Sequence, residues 1–135
     1  GSGKTTLLRD LIRKIGEQQV VCVVDERGEL FPGDSYHRGK RVDVLTGCSK
    51  PEGIACLLRT MGPEWIAVDE VTAEADCNAL IQAGWCGVRL LATAHAYSTR
   101  DLKKRSLYRS LLETRLFEHI FVLDRDKSWR EERME

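Results

Sequence analysis

The sequence predicts an α/β fold, a mostly parallel sheet flanked by helices, and three features lead there. Short β-branched apolar runs recur along the chain, and the segments between them carry apolar residues at helical spacing. Two of the runs end in paired acids, Asp25-Glu26 and Asp69-Glu70, and a third ends near His95. Strands that alternate with helices are parallel and covered on both faces, and ligands of such sheets sit at the C-terminal strand ends.

Taken in order, Leu7, Leu8, Leu11, Ile12 and Ile15 mark a first helix, which Gly16 stops. Val20 to Val24 reads as a buried strand ending in Asp25-Glu26. Residues 27–40 hold Gly, Pro, Asp and Ser and read as a loop, followed by a short strand around Arg41 to Leu45. Ile54, Leu57, Leu58 and Met61 mark a second helix, ended by Gly62-Pro63. Trp65 to Val68 is a second buried strand, and the Ala-rich residues 73–83 are helical. Val88 to Thr93 is a third strand. Ser98 and Asp101 form a capping box for another helix. Leu107, Leu111 and Leu112 suggest one more helix before a strand from His119 to Leu123.

The bulk properties narrow the class. At 135 residues the chain is expected to be one domain. Lys plus Arg and Asp plus Glu number 21 each, so the basic excess of a dedicated nucleic-acid binder is missing. No apolar run reaches the ~18–20 residues that a membrane-crossing helix needs. The five cysteines contain no C-x-x-C pair and read as reduced thiols.

The start of the chain carries the most specific chemistry. Gly1-Ser2-Gly3-Lys4-Thr5 is the second half of G-x-x-x-x-G-K-[ST], and it opens a helix as that phosphate-binding loop requires. Glycines let backbone N–H groups of Gly1 through Thr6 wrap phosphate oxygens, and the helix N-terminus adds partial positive charge. Lys4 would reach the β- and γ-phosphates of ATP, and the Thr5 hydroxyl would ligate Mg²⁺. Residue 1 lies inside the motif and no strand precedes it. The expectation is a fragment, residues 1–135, that begins within the Walker A motif and lacks the first strand of its sheet.

Ile66-Ala67-Val68-Asp69-Glu70 has the form of a Walker B element. Mg²⁺ needs hard oxygen ligands or acceptors for its waters, and Asp69 is the candidate. Glu70 is placed to orient and deprotonate an attacking water. Asp25, Glu26 and Glu29 end another buried strand run, and surface loop charge is the alternative there. His95 is a candidate phosphate sensor through a donated hydrogen bond. His37 and His119 read as structural, and Trp65, Trp85 and Trp129 as packing or surface residues.

Together these segments resemble the stage III sporulation protein AA family of ATPases. The stretches that carry the likeness are GSGKTTLLRDLIRKI, VVDERGEL, RVDVLTGCSKPEG, RTMGPEWIAVDEVTAEAD, LLATAHAYS and LFEHIFVLDR. That family is similar to the type II/IV secretion ATPases. Gly3, Lys4 and Thr5 fall on their Walker A motif, and Asp25, Glu26 and Glu29 on their Asp box. Asp69 and Glu70 fall on Walker B, as Asp-Glu where secretion ATPases usually have Gly-Glu, and His95 falls on the His box. The resemblance implies a RecA-like P-loop core with Glu70, Glu26, Glu29 and His95 as catalytic residues. It also implies ring assembly, expected to be hexameric, and work beside membrane channel proteins on the cytoplasmic face.

Other classes stay open at this level. Arg100, Lys103, Lys104 and Arg105 are basic at helical spacing, which a nucleic-acid motor of the same fold would use, although no nucleic-acid partner is expected. A small-molecule kinase would need a lid and an acceptor pocket that nothing suggests. A nucleotide-binding regulatory module shares the same motifs.

Overall fold

A computed structural model describes residues 3–32, 40–96, 98–117, 119–123 and 129–132. Helix α1 (Lys4–Ile15) leads into strand β1 (Val21–Asp25), and β2 (Val42–Thr46) and helix α2 (Lys50–Thr60) follow. Then come β3 (Trp65–Val68), α3 (Glu74–Trp85), β4 (Arg89–Ala92), α4 (Thr99–Lys104), α5 (Ser106–Glu113), β5 (Ile120–Leu123) and β6 (Trp129–Glu132). The first four strands form one parallel sheet in the order β2-β1-β3-β4.

Alternation along the central strands sorts the core into two layers. Val21 and Val23 of β1 and Ala67 of β3 pack with Leu8 and Ile12 of α1 and with Leu30 and Phe31. Cys22 and Val24, together with Ile66, Val68 and Leu90, face α2, α3 and α5 through Ile54, Leu57, Leu80, Tyr108 and Leu111. All five residues of β1 are buried, as expected of a strand with neighbours on both edges and helices on both faces. Burial, with Asp43 close by, pushes the Cys22 thiol up to about 11, so it stays a neutral core residue.

Local chemistry sets the helix limits. Ser49 caps α2 by accepting from the Glu52 N–H at 3.3 Å, and Pro51 follows in the first turn, where its missing N–H costs nothing. Ser98 caps α4 through the Asp101 N–H at 3.0 Å, the contact its capping-box spacing foretells. Tertiary fit decides elsewhere. A Cβ on Gly53 of α2 would stand 2.7 and 3.0 Å from the two Val24 methyl carbons. Val24 is buried and β-branched, with little rotamer freedom to give way. Gly53→Ala is therefore expected to destabilise the protein by about 1–3 kcal/mol despite alanine's better helix propensity. A urea denaturation midpoint unchanged from the parent would refute that close approach.

The strand expected at His119 to Leu123 is present as β5, but it does not extend the parallel sheet. It pairs antiparallel with β6, Ile120 opposite Glu132 and Leu123 opposite Trp129, in a separate two-stranded sheet. The connection between them is too short for the crossover that a parallel pair needs. His119 lies exposed beside this hairpin, paired with Glu131 and stacked on Phe121 at 6.3 Å. Trp65 donates to Gln19 at 2.7 Å and lies under the Arg89 guanidinium at 5.7 Å, whereas Trp85 is 76% exposed. His37 lies outside the described residues. No helix among the described residues is long and apolar enough to cross a membrane.

Candidate functional site

The N-terminus of α1 has the backbone chemistry of an anion site. Gly3 is its N-cap, in the left-handed region at φ 89°, where any residue with a Cβ is strained. No described side chain caps the helix. Leu7 N–H closes the first turn on the Gly3 carbonyl at 3.0 Å, so the amides of Lys4, Thr5 and Thr6 precede the helical ladder. Thr6 is exposed at this end. Gly1 and Ser2 lie outside the described residues.

Strand register gathers the side chains opposite. Val68 pairs with Ala92 and Val24 with Val68, so Asp69 follows beside Thr93 on one edge and Asp25 on the other. The Thr5 hydroxyl donates to Asp69 Oδ2 at 2.9 Å. Adjacent oxygens of an octahedral Mg²⁺ with bonds of ~2.1 Å stand ~3.0 Å apart, so this pair fits a shared cation or its bound water. The other Asp69 oxygen accepts from the Thr93 hydroxyl at 2.5 Å. That hydroxyl in turn accepts from the Glu70 N–H at 2.7 Å.

Thr93 is the residue that sequence reasoning missed here. In the sequence it marks only the end of a strand. Its role is visible once β4 is known to pair with β3, because register alone puts its hydroxyl between Asp69 and the Glu70 amide. Glu70 is exposed and sits at φ 56°, an uncommon conformation for a residue with a side chain. Such strain persists where surrounding bonds over-determine it, and often marks a functional position.

Lys4 and His95 meet at the same end of the sheet. The Lys4 ammonium donates to the Ala94 carbonyl at 3.2 Å and approaches His95 Nδ1 at 3.3 Å. Lys4, Thr5, Asp69 and His95 therefore converge at the C-terminal end of the sheet.

The acids after β1 divide. Asp25 is 4% exposed, and its two oxygens accept from the backbone N–H groups of Glu29, Leu30 and Phe31 at 3.0–3.1 Å. It organises the 26–31 loop. Arg9 of α1 holds the same loop from outside, donating to the Leu30 carbonyl at 2.6 Å and the Glu29 carbonyl at 3.4 Å. Glu26 is exposed and pairs with Lys50 at 3.3 Å, and the Glu29 side chain is exposed. Neither acid is brought against Lys4 or Asp69 by a hydrogen bond among the described residues, so a role for either rests on the loop's place beside α1. In the basic stretch, Arg105 pairs with Asp101 at 3.3 Å, and Arg100 and Lys104 are exposed.

The family described as sporulation stage III, protein AA, matches residues 1–132. The chain belongs to that family. The chain is 40% identical over 136 residues to the stage III sporulation protein AA of Bacillus subtilis, a match covering 93% of the chain. It spans 44% of that relative's length. Among solved structures, this member of the protein AA family is similar to the Legionella pneumophila ATPase DotB. The TM-score is 0.65 at 23% identity, over 97% of this chain and 41% of that one. The VirB11 ATPase of the Brucella suis type IV secretion system is also similar, with TM-score 0.63 at 23% identity, over 83% and 31%. The protein AA family member thus has the RecA-like fold of secretion ATPases, its parallel sheet flanked by helices, as the sequence predicts.

Proposed function

We propose that this chain is the nucleotide-binding core of a Mg²⁺-dependent ATPase that works as a ring-forming motor at a sporulation or secretion-type membrane complex. One observation carries the reading. An uncapped helix N-terminus, a lysine, a threonine–aspartate oxygen pair and a histidine all gather at the C-terminal end of the sheet. Lys4 and the amides of Lys4 to Thr6 hold the phosphates. Thr5 and Asp69 would hold the cation, which would neutralise charge on the phosphates. Glu70 takes the proton from water, and His95 donates toward the γ-phosphate. Glu26 and Glu29 complete the acidic rim, and a second copy of the chain supplies an arginine in trans.

The family membership and the secretion ATPase fold support motor work beside a membrane channel. Hydrolysis by the full-length protein is expected to require Mg²⁺ and to rise per subunit with protein concentration. Steady-state phosphate release, with and without a chelator and over a wide concentration range, measures both. A rate independent of concentration would remove the ring, and binding without turnover would leave a regulatory module.

A further inference from the structure

Tyr108 of α5 belongs to none of the sequence motifs, yet its hydroxyl reaches the back of the nucleotide cleft. The side chain is 6% exposed, and the hydroxyl donates to the Val71 carbonyl at 2.8 Å in a buried contact. Val71 directly follows Glu70, whose backbone sits at φ 56°. The Val71 N–H donates to the Thr93 carbonyl at 2.9 Å, and the Glu70 N–H to the Thr93 hydroxyl at 2.7 Å. The Glu70–Val71 turn is thus pinned by two bonds to Thr93, just after β4, and from α5 by the phenol.

The phenol also lies within the fields of Cys77, Arg105 and Glu70 and near the His95 backbone N–H. Burial and then Cys77 push the phenol pKa up, Arg105 and the His95 N–H pull it down, and Glu70 raises it. The hydroxyl therefore stays a donor at neutral pH. Phenylalanine would fill the same space, so packing alone does not call for that oxygen, and burying it is costly unless it is bonded.

We infer that Tyr108 is a positioning residue for the catalytic site, its hydroxyl holding the Glu70 turn in one arrangement. This rests on the ATPase reading above.

Tyr108→Phe in the full-length protein tests it. Losing one buried hydrogen bond is expected to lower kcat about five- to ten-fold, with KM and nucleotide affinity held within about two-fold. Amide exchange across Glu70–Val71 is expected to speed up by a similar factor. In a Glu70→Gln background the same change should cost nothing further. Leu111→Ala, at the other buried α5 position, should lower the melting temperature and leave kcat unchanged well below melting.

Hydrolysis by the unmodified protein together with an unaltered Tyr108→Phe variant overturns the Tyr108 role alone. An equal loss in the Glu70→Gln background overturns it too, since the hydroxyl would then act elsewhere. No hydrolysis by the unmodified protein overturns the ATPase reading, and unchanged exchange at Glu70–Val71 would then remove the positioning role as well.

Discussion

Glu70→Gln is expected to lower kcat by about 100- to 1000-fold while ATP still binds, the loss associated with removing a positioned general base. Glutamine keeps the length, the volume and the hydrogen-bonding oxygen, but it cannot accept a proton. The backbone amide that fixes residue 70 on Thr93 is unaffected, so the φ 56° turn and the Asp69 contact with Thr5 survive the change. Affinity for a fluorescent ATP analogue should therefore be retained. Lys4→Ala gives the contrasting result. It removes the cation that reaches toward Ala94 and His95 across the cleft, so affinity falls along with turnover. Steady-state hydrolysis beside equilibrium titration separates the two. Unchanged turnover in Glu70→Gln would move the base to another acid, and Glu26 or Glu29 would be next to test.

The elements that sequence reasoning located best are those whose pattern is local. The run Val21–Val24 is wholly apolar and buried on both faces, so no register question arises. Leu8 and Ile12 fall on one helical stripe and both are buried. The cleft was legible for the same reason. Lys4 and Thr5 follow a glycine that must open a helix, and Asp69 must follow the last apolar residue of a strand. What stayed hidden depends on which elements lie side by side. Thr93 becomes a clamp only because β4 lies beside β3. Tyr108 reaches Val71 only because α5 packs on α3. The β5–β6 hairpin escaped because Trp129–Glu132 reads as a charged stretch, and the strand state comes from pairing with β5.

Asp25→Ala is expected to cost about 3–5 kcal/mol of stability, a large part of the ~5–15 kcal/mol that holds a domain of this kind together. The carboxylate is buried and receives three consecutive backbone amides, those of Glu29, Leu30 and Phe31. Alanine would leave the last two without an acceptor in a region closed to water, since Leu30 and Phe31 are 0% and 2% exposed. Those two side chains cover Leu8 and Ile12 on the α1 face, so a loosened loop would also uncover the core. Asn should recover only part of the loss, because its NH₂ group would face backbone donors where Oδ1 or Oδ2 now accepts. Urea unfolding measures this as a lower midpoint at constant slope. A change in ΔG under about 0.5 kcal/mol would sink the structural role. Full stability with lost kcat in Asp25→Asn would instead make Asp25 a chemical participant. If the structural role holds, the loop that Arg9 ties to α1 shifts with Asp25, and turnover falls in proportion to how much the cleft depends on Glu29.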